Sequence, residues 1–148
     1  MVCYDECMEE LRPRVGVGLL IVRGDEILLG KRRGSHGKGE YAGPGGHLEL
    51  GETVEECIER ELKEEAGPDI RIRNLGFLCF INLRKYLPKH YAHIHMSAEW
   101  QAGEPIIMEP EKNAGWSWYD IDSLPSPLFG TMSEAVEAFK TGKKFFES

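Results

Sequence analysis

The sequence predicts an α/β sandwich in which a mixed β-sheet lies between helices, and three observations carry that expectation. Two aliphatic and β-branched runs flank Gly24-Asp25 in VGVGLLIVRGDEILLGKR, the signature of a β-hairpin. A capped amphipathic stretch, Thr53 to Ala66, reads as a helix. Strand-like and helix-like segments then alternate without a repeating strand–helix period, which favours a mixed sheet over a wound parallel one. With 148 residues and no internal repeat, low-complexity tract or linker, residues 1–148 are expected to form one domain with its core at about 14–140.

The elements follow in order. After the hairpin, RRGSHGKGEYAGPGG is rich in glycine and reads as a loop or a set of tight turns, with HLEL a candidate short strand behind it. Thr53 with Glu56 three residues later forms a capping box, and Gly67-Pro68 ends the helix. IRIRNLGFLCFINL, YAHIHMSAEW and WSWYDI read as strands, and SEAVEAFKTG as a closing helix stopped by Gly142.

Composition narrows the function. A net charge of −7 argues against a sequence-independent grip on long nucleic acid, which needs basic surface to displace counterions. No apolar run reaches the roughly 18 residues of a membrane span, and MVCYDECMEE lacks the basic and apolar segments of a signal peptide, so a cytoplasmic protein is expected. Cys3, Cys7, Cys57 and Cys79 lack the paired spacing of a zinc site and are expected to be reduced thiols.

The chemistry is concentrated in RELKEEAG. On a helix at about 100° per residue, Val54, Cys57 and Ile58 make an apolar stripe, and Glu61, Glu64 and Glu65 extend that stripe. Glu55, Glu56, Glu59 and Lys63 form the solvated face. Ionised carboxylates crowded toward an interior need positive charge, which Arg60 alone does not supply and a hard cation such as Mg²⁺ does. The turn Gly43-Pro44-Gly45-Gly46 just upstream exposes backbone that can approach a phosphate or offer a carbonyl to a metal. Helix and turn together describe a diphosphate and metal site.

Gly46, then Glu52, then Arg60-Glu61-Leu62-Lys63-Glu64-Glu65-Ala66-Gly67 at their spacings resemble the Nudix box of the MutT-like hydrolases, here residues 46–68. The one departure is Pro68, where the family places an aliphatic residue; Ile70 is expected to take its packing role. LLGKRRGS, PGGHLELGET and EPEKNAGWSWYDIDSLPSPLF are similar to small cytosolic Nudix nucleotide diphosphatases of plant and vertebrate type.

The resemblance implies Mg²⁺- or Mn²⁺-dependent hydrolysis of a nucleoside diphosphate derivative. The first reading is a nucleoside triphosphate, ordinary or oxidised such as 8-oxo-dGTP, cut to monophosphate and pyrophosphate. The alternatives are a nucleotide sugar, ADP-ribose or dihydroneopterin triphosphate as substrate, or a non-catalytic metabolite-binding module. By position, Glu61, Glu64, Glu65 and the Gly45 carbonyl are the implied metal ligands. Glu61 or Glu64 is the implied base, with Glu111 in EPEKN a distant candidate, and Arg60 holds the cluster with Glu52 as partner. Arg32, Gly45, Gly46, His47, His93, Glu111 and Phe129 are the implied substrate contacts, Phe129 by stacking on a base. Relatives of this type imply a homodimer. His93 and His95 share one side of a strand but lack a third ligand for zinc, and Trp116 and Trp118, also on one face, are expected to be buried aromatics.

Overall fold

A computed structural model describes residues 12–148. Its centre is β1 (Arg14–Arg23), which turns at Gly24-Asp25 into β2 (Glu26–Arg32) as the hairpin pattern predicts. β3 (Tyr41–Ala42) and β4 (Gly45–His47) follow, then helix α1 (Val54–Ala66). The long strands β5 (Arg71–Leu83) and β6 (Tyr91–Ala102), strand β7 (Asn113–Asp120), helix α2 (Gly130–Thr141) and β8 (Phe145–Glu147) complete the chain.

All eight strands form one sheet, in the order β3-β2-β1-β6-β5-β8, with β4 on β1 and β7 on β2. It is mixed, since β1 runs parallel to β6 and β5 parallel to β8, whereas the other pairs are antiparallel. Gly16 to Ile21 of β1 are all buried, as befits a central strand covered on both faces. Alternation then divides them. Val17, Leu19 and Ile21 pack with Cys57, Ile58 and Leu62 of α1, and Leu20 packs with Met132, Ala135 and Val136 of α2.

Helix α1 begins as its sequence dictates. The Thr53 hydroxyl accepts from the Glu56 amide at 3.1 Å, and the Glu56 carboxylate accepts from the Thr53 amide at 2.9 Å. Gly67 at φ 93° ends it, and Ile70, not Pro68, is buried against the α1 face. Cys57 and Cys79 are buried free thiols; Cys3 and Cys7 lie outside the described residues. Among the described residues no helix is long and apolar enough to cross a membrane.

Three expectations change. The glycine segment is not loop throughout: it contains β3 and β4, and β4 uses Gly45 and Gly46 with only His47 from HLEL. The reason is close approach, because a Cβ on Gly45 would collide with the Val17 carbonyl of β1. β8 has no counterpart in the sequence reading. The closing helix starts at Gly130, ahead of Ser133, and ends at Gly142 with φ 80° as expected.

Candidate functional site

One cavity of about 590 Å³ gathers most of the residues singled out from the sequence. Its wall contains Glu61, Glu64, Glu65 and Arg60 from α1, Gly45, Gly46 and His47 from β4, Arg32 from β2, His93 from β6 and Phe129 at the start of α2. A volume of this size suits one small molecule.

Arg60 organises the acidic end. Its Nε donates to Glu52 at 2.7 Å and its Nη2 to the other Glu52 oxygen at 3.0 Å, a two-pronged pair. Nη2 also donates to the His47 carbonyl at 3.0 Å, and Nη1 to Glu61 at 2.8 Å. The Glu52 carboxyl is consequently pulled down to about 2, chiefly by its hydrogen bonds from Arg60. One guanidinium thus ties the turn before α1, strand β4 and the helix acids into a single geometry.

The three helix acids are not equivalent. The Glu61 side chain is 14% exposed and lies against Gly46, where a Cβ would occupy the position of its carboxylate. Glu65 is held well above the usual carboxylate range, first by burial and then by its contact with Glu61. Its hydrogen-bond donor among the described residues is the Gly45 amide, at 3.4 Å. Glu64 departs from the wheel reading: its side chain is 54% exposed at the rim, 3.5 Å from Arg60 Nη1. Glu64 lines the open cavity rather than the core, although it lies at nearly the same helical angle as the buried Cys57.

A divalent cation fits these residues. Glu61 shares the Arg60 guanidinium with Glu52, Glu65 has no ion-pair partner among the described residues and is forced toward its protonated form, and glycine at position 46 leaves room for Glu61 beside the β4 backbone. Among the described residues no three His, Cys, Asp or Glu close into a complete cage. That pattern suits Mg²⁺, which takes one or two carboxylates and fills its other positions with water and substrate phosphate.

The cationic side is Arg32. Its Nε donates to the His36 carbonyl at 2.9 Å, its guanidinium lies 4.4 Å from the Phe129 ring centroid, and its Nη groups have no hydrogen-bond partner among the described residues. Lys31 and Arg33, its neighbours in the basic trio, are exposed outside the cavity.

Two sequence-based placements are corrected. Glu111 does not line the cavity; Glu109 does, because the turn closed by the Lys112 and Asn113 amides on the Glu109 carbonyl brings Glu109 and Lys112 inward. Phe129 lines the cavity but is only 9% exposed, stacked on Tyr86 at 5.2 Å and covered by Arg32, so little ring surface is free for a base. Trp116 also reaches the cavity while its Nε1 donates to the Glu65 carbonyl at 3.1 Å, tying β7 to the end of α1.

The cavity also contains His36, Tyr91 and His95, which the sequence reading did not assign to substrate. Tyr91 stacks on His47 at 5.4 Å, and its hydroxyl meets His47 Nε2 at 3.1 Å. Tyr91, His93 and His95 are alternate residues of one strand, so the period-two pattern of YAHIH held the signal.

The NUDIX domain profile matches residues 12–139. The chain is 34% identical over 122 residues to the NAD-capped RNA hydrolase NudC of Stutzerimonas stutzeri, an alignment covering 81% of this chain and 42% of that protein. It therefore spans less than half the length of that relative. It is 46% identical over 120 residues to the ADP-ribose pyrophosphatase of Methanocaldococcus jannaschii, covering 80% of this chain and 69% of that protein. The crystal structure of a MutT NUDIX hydrolase from Burkholderia pseudomallei superposes with a TM-score of 0.80 at 34% identity, covering 86% of this chain and 98% of that one.

Proposed function

This chain belongs to the NUDIX family, and we propose that it is a hydrolase of phosphoric anhydride bonds that cleaves nucleoside triphosphates to monophosphate and pyrophosphate with Mg²⁺ or Mn²⁺. The observation that carries this reading is the cavity in which the crowded Glu61–Glu65 pair and Arg32 face a common space. Residues 12–148 act as one domain in this reading, and the substrate is a small nucleotide.

Glu61 and Glu65, with the Gly45 carbonyl, would hold the cation, which when bound screens phosphate charge and lowers the pKa of water. Arg60 fixes the Glu61 carboxylate in place. Arg32 binds the phosphate chain through its free Nη donors, as a planar guanidinium suits two phosphate oxygens. Gly46 and His47 border the phosphates. Glu64, exposed at the rim, takes the proton of the attacking water as the new P–O bond forms and the bridging P–O bond breaks, with pyrophosphate leaving.

A second substrate reading, ADP-ribose, is favoured by the 46% identity to the archaeal relative of that name. One assay separates the two: release of phosphate products, with Mg²⁺, from triphosphates, ADP-ribose and nucleotide sugars by wild type and Glu64→Gln. Triphosphates are expected to give the highest kcat/KM, and the variant to lose at least about a hundredfold. A preference for ADP-ribose selects the second reading, and inactivity of both proteins on the whole panel selects a metabolite-binding module.

A further inference from the structure

The cavity is also lined by two histidines, His93 and His95, that no step of the proposed reaction uses. His93 and His95 face Gly16 and Gly18 of β1 across a parallel register. A Cβ on Gly16 would lie 2.7 Å from His93 Nδ1, and one on Gly18 would lie 2.7 Å from His93 Nε2 and 2.8 Å from His95 Nδ1. The two glycines therefore make the space in which both imidazoles lie against the strand. His93 Nε2 and His95 Nδ1 are 3.2 Å apart, and His95 Nε2 is fully buried with no partner among the described residues. Burial disfavours the imidazolium at both positions.

Two neutral imidazoles share one proton in the bond between them, which leaves two polarities. If His93 Nε2 donated, His95 would carry its own hydrogen on Nε2, an N–H with nothing to receive it. If His95 Nδ1 donates, the buried Nε2 is a bare lone pair, and orphaned buried N–H groups are the rarer of the two. That polarity puts the His93 hydrogen on Nδ1. This nitrogen is not sealed in as His95 Nε2 is, has no hydrogen-bond partner among the described residues, and belongs to a ring lining the cavity.

We infer that His93, polarised by His95, presents a fixed neutral N–H donor to the cavity and thereby selects nucleotides whose base carries an oxo group over those carrying an amino group there. This rests on the nucleotide reading of the same cavity and names the base class it takes. His93 contacts the base; His95 is a positioning residue. A neutral donor opposed to an amino group leaves two donors facing each other in a buried site, which is costly on both sides.

Long-range ¹H–¹⁵N spectra of the wild-type protein at pH 7 read the tautomers directly. The Nδ1–H form is expected for both rings, and an Nε2–H form at His93 overturns the inference. Titration with inosine 5′-monophosphate and adenosine 5′-monophosphate, without metal, reads the selection. The oxo nucleotide should bind about tenfold tighter or more, and His93→Phe should bring the pair to within about twofold. Equal binding by wild type, or an unchanged ratio in His93→Phe, overturns it. If the variant does not fold, the wild-type spectra and titration decide. Neither readout needs hydrolysis, so a chain that binds inosine monophosphate selectively yet cleaves no anhydride would refute the proposed function and support this contact.

Discussion

Glu65→Gln separates the stability of the acid cluster from its use. Burial and the Glu61 carboxyl raise the pKa of Glu65, so the metal-free folded protein holds a proton that the unfolded chain releases. That contribution is complete below the ordinary carboxylate range and is lost as pH rises through the raised folded value. As pH rises through that value the metal-free wild type comes to carry an unfavourable pair. Two carboxylates about 4 Å apart repel by roughly 4 kcal/mol at an effective dielectric of about 20. Arg60 on Glu61 and proton uptake by Glu65 offset part of this, leaving about 1–2 kcal/mol to be recovered by a neutral amide. For a chain of this size that is a rise in Tm of about 2–8 °C. Mg²⁺ at a hundred times its Kd should stabilise the wild type by about 2.7 kcal/mol, or about 5–11 °C, and Glu65→Gln by far less. Thermal melts at pH 8 with EDTA or Mg²⁺ measure both. A variant that melts lower than wild type in EDTA and keeps the full Mg²⁺ increment would refute the placement of the cation between these acids.

Gly46→Ala puts a methyl group where the Glu61 carboxylate lies, so kcat/KM should fall at least tenfold while the far-ultraviolet circular dichroism is retained. His93 has its pKa pushed down to about 4 by burial, below an unfolded value near 6.5. The unfolded chain then binds more protons, so stability is full above about pH 6.5 and falls by up to about 3 kcal/mol as pH drops toward 4. Urea midpoints across that range should show the loss, and His93→Phe should flatten it relative to wild type. Thr53→Ala removes the cap of α1 and should cost about 1 kcal/mol in urea unfolding, with kcat/KM within about twofold of wild type.

What the sequence determined by itself is local. The Gly24-Asp25 hairpin, the Thr53–Glu56 capping box, the helix end at Gly67 and the clustering of Glu61, Glu65 and Arg60 near a glycine turn are all set by residues a few positions apart, where one hydrogen bond or one helical turn decides the outcome. The Pro68 departure was legible for the same reason, since Ile70 is the next apolar residue after the helix. Tertiary structure decided everything that depends on pairing distant segments. The parallel register of β1 with β6 lays His93 and His95 over Gly16 and Gly18, and nothing in YAHIH states which strand will lie beside it. The turn before β7 chose Glu109, four residues before Asn113, over Glu111, two residues before it. Phe129 lost its free face to Tyr86, a residue brought there only when the chain after β5 packs on the start of α2. Side-chain chemistry is written in the order of residues, but which groups share a cavity follows from loop closure and strand register, whose energies lie between elements rather than within them.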